Sequence, residues 1–125
     1  MGDLIYKEEV YEIIGTCMEV YNTLGYGFLE IIYKDAMEIE FKERGILYVR
    51  EKELPVFYKG SRMQRSFFVD FKVYGKIIVE VKSHIDGIRE ETLAQTLNYL
   101  KASGNKVGVI VNFGKSKLSY RRVVG

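Results

Sequence analysis

Two apolar runs, residues 66–73 and 76–82, flank a turn signal at Gly75 and carry Asp70, Glu80 and Lys82 inside them. Val, Ile and Phe at alternating positions predict the two strands of a β-hairpin. A charge buried in such a strand is costly unless it is paired or binds a metal. Side chains alternate between the faces of a strand. On the first strand Phe67, Val69, Phe71 and Val73 share one face, and Phe68, Asp70 and Lys72 the other. On the second, Ile77, Val79 and Val81 oppose Ile78, Glu80 and Lys82. One wall of the hairpin is apolar and the other concentrates charge.

Loop parity decides whether the two carboxylates meet. A two-residue loop at Gly75 and Lys76 would put them on opposite faces. A three-residue loop of Val73, Tyr74 and Gly75, with Gly75 left-handed, sets Asp70 opposite Ile78 and Glu80 opposite Phe68. The carboxylates are then diagonal neighbours on one face, with Cα atoms roughly 7–8 Å apart. The spacing predicts a loop of odd length. Oxygen donors so placed select a hard cation such as Mg²⁺, which takes one or two carboxylates plus waters and a substrate phosphate. Lys82 emerges beside Glu80, where an ammonium can hold and polarise a water for attack on phosphorus. The competing reading is an ordinary charged cluster on a solvated hairpin face, and spacing alone leaves the two about even.

The rest of the chain supplies a frame for this hairpin. Helical periodicity over residues 5–24 ends at Gly25, and a second helix runs from near Gly27 to about Arg44. Strands are predicted over residues 46–50 and 52–58, the latter interrupted by Pro55. Residues 88–103 return to helical spacing, with Leu93, Leu97 and Leu100 as the inward stripe. Residues 106–112 read as a buried strand and residues 117–124 as a last one. The order ααββββαββ implies an α/β sandwich with a mixed sheet, because the strand after the third helix can pair in parallel through a helical crossover. At 125 residues the whole chain, 1–125, is expected to form a single domain.

Composition narrows the function classes. One cysteine, Cys17, excludes a disulfide framework within the chain and any multi-cysteine zinc site, and one histidine, His84, excludes zinc motifs that need two. Cys17 reads as a small buried hydrophobe, and His84 as a surface residue at the hairpin's end. No run approaches the apolar length of a membrane span, and the start MGDLIYKEEV is not a signal peptide. Cytoplasmic residence is the default. The net charge of +2 permits a nucleic-acid partner without demanding one. Basic residues gather at Lys59, Arg62 and Arg65, and again at Lys115, Lys117, Arg121 and Arg122, where they suit phosphate contacts or plain solvation.

Two further stretches matter. Gln95 and Tyr99, in QTLNY, lie one turn apart on one helical face at the margin of the apolar stripe. In LGYGFLEIIY, residues 24–33, the paired glycines lack the Lys-Ser/Thr of a P-loop and follow no strand. Glu30 falls in the first turn of the second helix, where the dipole favours a carboxylate in any case.

Together these pieces resemble a family. Gly27-Phe-Leu-Glu30-Ile-Ile-Tyr33 matches the signature of the small prokaryotic GxxExxY proteins, which are assigned to the PD-(D/E)XK nuclease superfamily. The resemblance covers nearly the whole chain: two leading helices, the VD…VEVK hairpin, the Q-x-x-x-Y helix and the VGVIVNFG strand. It implies a restriction-endonuclease-like core, with a central mixed sheet flanked by helices. It implies a nuclease hydrolysing DNA phosphodiester bonds, with Asp70 and Glu80 binding Mg²⁺ or Mn²⁺, helped by the Val81 carbonyl. Lys82 would orient the nucleophilic water, and Glu30 would reach the metal directly or through water. Gln95 and Tyr99 match the Q-x-x-x-Y motif of the branch that looks like RecB nuclease domains and Cas4, where it lines the active site. With Tyr33 they are the implied substrate-binding residues. Val69 stands where the superfamily's name has proline, a position that varies among members. The alternative is a catalytically silent nuclease-fold module that binds nucleic acid or a protein partner. A chain this short has little room for a DNA-recognition domain, so a homodimer or a partner protein would help it grip substrate.

Overall fold

The computed structural model describes residues 4–125. Helices α1 (Lys7–Leu24) and α2 (Glu30–Arg44) precede strands β1 (Tyr48–Tyr58), β2 (Ser61–Val73) and β3 (Ile77–Lys82). Helix α3 (Glu90–Ser103) then leads to β4 (Val107–Asn112) and β5 (Ser119–Val124). The strands form one sheet in the order β1-β2-β3-β4-β5. β3 and β4 are parallel and every other pair is antiparallel. The α3 crossover that the strand pattern implied is thus present, and the sheet is mixed and flanked by helices. No helix among the described residues is long and apolar enough to cross a membrane.

Each face of the sheet carries its own core. Val10, Ile13, Cys17 and Val20 of α1 and Tyr33, Met37 and Phe41 of α2 pack on Phe71, Val73, Ile77, Val79 and Val81. On the other face Tyr99 and Leu100 of α3 meet Leu54, Val69, Ile78 and Ile110. Cys17 is wholly buried, and burial pushes its thiol up to about 12, which makes it an inert core residue. The inward stripe of α3 is the expected one in part: Leu100 is buried and Leu93 packs against the same core, but Leu97 is exposed, and Thr92 and Thr96 are buried in its stead. Gly108 explains the exchange. A Cβ there would lie 2.9 Å from Thr96 Cγ2, so a small residue on each side lets α3 lie close to the sheet.

The two strands expected over 46–50 and 52–58 are one strand, so the order is ααβββαββ. The gap between them falls on Glu51, whose φ of 53° is left-handed. Pairing continues past it in unbroken register, from Arg50 opposite Phe71 to Lys52 opposite Val69. The strands turn over at this point. Tyr48 packs in the α1/α2 core and Arg50 bonds to Asp35 and Glu38 of α2, whereas Leu54 faces α3. In β2, Phe71 and Val73 face α1 and α2, whereas Val69 packs under α3 and Phe67 meets the Tyr99 ring edge-on. The single apolar wall expected from Phe67 to Val73 is therefore split at Asp70, between two cores.

Candidate active site

The hairpin loop is odd in length, as expected, but it is Tyr74-Gly75-Lys76. Val73 pairs with Ile77, Lys72 with Ile78 and Phe71 with Val79. Tyr74 takes a left-handed conformation (φ 57°) as well as Gly75 (φ 69°), and the Lys76 N–H donates to the Val73 carbonyl at 3.1 Å. The turn therefore closes one residue later, and the register differs by two from the expected one. Asp70 stands level with Glu80 rather than opposite Ile78.

Beyond Phe71 and Val79 the backbone ladder stops, and the two carboxylates take its place. The Asp70 N–H donates to Glu80 Oε2 at 2.9 Å, and the Val81 N–H donates to Asp70 Oδ2 at 2.7 Å. Each acid thus satisfies a backbone donor on the partner strand's side of the gap. Glu80 is 3% exposed. Burial, and then the Asp70 charge, push its carboxyl up to about 8.

Lys34 of α2 completes the cluster, and the sequence reading missed it. Its side chain is buried, its Nζ donates to Asp70 Oδ1 at 3.0 Å, and it also pairs with the Glu51 carboxylate. Burial would lower its pKa, but the bonds to Glu51 and Asp70 outweigh that and hold it above the ordinary lysine value. The available signal was the i, i+4 pair Glu30 and Lys34 on one face of α2. Glu51, equally missed, carried a signal too: it sat in the gap between two expected strands.

The remaining expected site residues divide. Lys82 follows Glu80 by two positions on β3, is half-buried, and has no ion-pair partner among the described residues. Tyr99 of α3 is buried, its ring meets Phe67 of β2 edge-on, and its hydroxyl is pushed up to about 12, by burial and then by the Glu80 and Asp70 charges. Gln95 is exposed one turn earlier. Glu30 is half-buried at the start of α2 and lines, with Lys34, Phe28, Leu29, Ser83 and Ile85, a cleft of about 770 Å³. It stands apart from the acid pair, and among the described residues no three His, Cys, Asp or Glu side chains cluster closely enough to hold a metal.

Tyr33 is turned into the fold. It is fully buried, its hydroxyl donates to the Gly25 carbonyl at 2.6 Å and accepts the Phe28 N–H at 3.1 Å, and its ring stacks on Phe113 at 4.2 Å. It holds the 25–29 loop at the mouth of the cleft. Ser83 Oγ donates to the Phe28 carbonyl at 2.6 Å from the opposite side. Asn112 pins the loop after β3 by accepting from the His84 N–H at 2.8 Å and donating to its carbonyl at 2.9 Å. A Cβ on Gly114 would lie 2.4 Å from the His84 backbone. Gly114→Ala should therefore destabilise the protein by about 2–4 kcal/mol, read as a lower urea midpoint at unchanged slope.

The donor set fits a hard divalent cation. Two carboxylates share the gap, and one is held in a dry setting where a compensating cation is worth most. Val81 turns its N–H toward Asp70, and in a strand the carbonyl of the same residue points the same way. β2 offers that carbonyl no ladder partner.

Comparison with known proteins agrees with this geometry. No curated protein matches the chain. The solved structure described as "Crystal structure of SSO0001" superposes with a TM-score of 0.58 at 18% identity, over 95% of this chain and 60% of that one. At that identity the likeness is one of fold, and this chain spans 60% of the other's length. The sequence model of the PD-(D/E)XK nuclease superfamily matches residues 7–123, from α1 into β5, and so takes in both acids, Lys82 and Tyr99. Carboxylates facing each other where two strands part, with a lysine two residues after the second, stand inside that match: the chain belongs to the PD-(D/E)XK nuclease superfamily.

Proposed function

We propose that this chain is a divalent-metal-dependent nuclease that hydrolyses DNA phosphodiester bonds. The observation that carries the reading is the reciprocal bonding of Asp70 and Glu80 in the gap between β2 and β3. Asp70, Glu80 and the Val81 carbonyl would hold Mg²⁺ or Mn²⁺. Such an ion supplies Lewis-acid polarisation of the phosphoryl oxygen and a more acidic water. Lys82, on the same strand face as Glu80, holds the attacking water toward phosphorus. Tyr99 closes the α3 side of the acids and can donate to a phosphate oxygen. Glu30 acts at the distance of an intervening water, beside the cleft that would admit the strand. Within the superfamily, Gly27, Glu30 and Tyr33 support placing the chain with the GxxExxY proteins. For the RecB/Cas4-like branch, Tyr99 supports the likeness more than exposed Gln95 does.

The test is cleavage of plasmid and single-stranded DNA with Mg²⁺ or Mn²⁺. We expect cleavage that EDTA abolishes and Asp70→Ala lacks. Activity surviving in Asp70→Ala would mean a contaminant, and no cleavage in any divalent metal would sink the reading. A second reading has its own observation: Lys34 already neutralises Asp70. A silent module binding nucleic acid or a partner protein needs no more than that, and it would bind DNA equally well in EDTA. In either case a second copy or a partner protein would extend the contact with nucleic acid.

A further inference from the structure

Lys34 and Glu80 are the charged side chains buried among the described residues. Lys34 lies on α2, next to the fully buried Tyr33, so its backbone is fixed and its stem is packed. Its ammonium stands between two acids of different kind. Asp70 is largely covered, with a side chain 19% exposed, and its Oδ2 is taken by the Val81 N–H. Lys34 sits on Oδ1, the oxygen less encumbered by the backbone. Glu51 has a side chain 53% exposed and borders the site from β1. It does so from a left-handed backbone in mid-strand, a conformation that non-glycine residues hold only when their surroundings enforce it.

We propose that Lys34 is the resident counter-cation of Asp70, which competes with an entering divalent metal for that carboxylate and transfers onto Glu51 when the metal binds. This rests on the metal-site reading above. An ionised Asp70 in so covered a gap needs a positive charge beside it. Lys34 supplies it in the metal-free protein. A divalent ion on Asp70 would meet an ammonium within a few ångströms, so the two cannot share Oδ1. Glu51 gives the displaced ammonium a charged partner without sending it to solvent, which the packed stem would resist. Lys34 thereby sets a threshold: the metal must outcompete a built-in cation.

The test is calorimetric titration with Mn²⁺ alone, at one pH and without DNA. Lys34→Met should bind Mn²⁺ about tenfold more tightly than wild type or better, because a competing like charge is gone. Glu51→Gln should bind several-fold more weakly, since the ammonium then has only Asp70. Asp70→Asn should not bind. A lysine that merely braces the site would give the opposite sign for Lys34→Met. Lys34→Gln, which keeps a donor toward Glu51, repeats the test if the methionine variant folds poorly by circular dichroism. Equal or weaker binding in both Lys34 variants, beside a wild type that binds and an Asp70→Asn that does not, overturns the role of Lys34 alone. Glu51→Gln binding as tightly as wild type overturns the transfer. Binding that appears only on removal of Lys34 supports the proposal in its strongest form. No binding in any folded variant overturns the metal site and this proposal together.

Discussion

Lys82→Ala should lower DNA cleavage by about a thousandfold while leaving Mn²⁺ affinity within about threefold of wild type. The split follows from where Lys82 stands. It shares a strand face with Glu80 and lies two residues beyond it, at the end of β3. It has no ion pair among the described residues, so its ammonium is free for a water or a phosphate oxygen. Lys34, by contrast, is held by two acids. Removing a group that acts on the attacking water lowers the rate of the chemical step and leaves ground-state binding alone. Asp70→Ala should remove both. Single-turnover cleavage beside metal titration separates the cases. Parallel loss of rate and metal affinity in Lys82→Ala would make Lys82 a structural residue. Retained cleavage would hand the water to another group, with Lys34 next in line.

What could be read from the chain follows from how local each signal is. The elements were legible because periods of two and 3.6 are local, and the buried β4 reads plainly as VGVIVN. Odd loop parity was legible because Gly75 marks the turn. The register was not, because it depended on Tyr74 joining Gly75 in a left-handed conformation that no propensity announces for tyrosine. Asp70, Glu80 and Lys82 stood out because charge inside an apolar strand is anomalous. Lys34 did not, because a lysine on an amphipathic helix is ordinary until the fold buries it. The burial of Tyr33 was hidden for the complementary reason: a tyrosine at a helix start is ordinarily half-exposed, yet here its hydroxyl is spent on Gly25 and Phe28. The turn-over of β1 and β2 at Glu51 and Asp70 was beyond strand alternation, which assumes an even twist. That turn-over is what puts Asp70 between the core under α1 and α2, from whose side Lys34 reaches it, and the core under α3.

In metal-free protein, Glu80→Gln should be more stable than wild type at pH 8 and equal to it near pH 5. The Glu80 carboxyl is raised from 4.5 to about 8 in the folded protein. Between those values the folded state keeps a proton that the unfolded chain has already released. Stability therefore falls as pH rises through that window: the contribution is complete below about 4.5 and gone above about 8. The whole change is on the order of 3–5 kcal/mol. Gln stays neutral throughout and offers the Asp70 N–H the same kind of acceptor, so its profile over this window should lack that slope. Urea unfolding in EDTA at pH 5, 6.5 and 8 reads the difference. Saturating Mn²⁺ should reverse the order at pH 8, since a ligand bound only by the folded wild type adds stability that the variant cannot gain. The same proton must leave when metal enters, so Mn²⁺ binding near pH 7 should release close to one proton in wild type and none in Glu80→Gln, seen as buffer-dependent heat. A wild-type stability profile as flat as the variant's would mean that Glu80 is already ionised in the folded protein. Lys34 would then be neutralising both acids rather than Asp70 alone, and removing it should cost more at pH 8 than at pH 5.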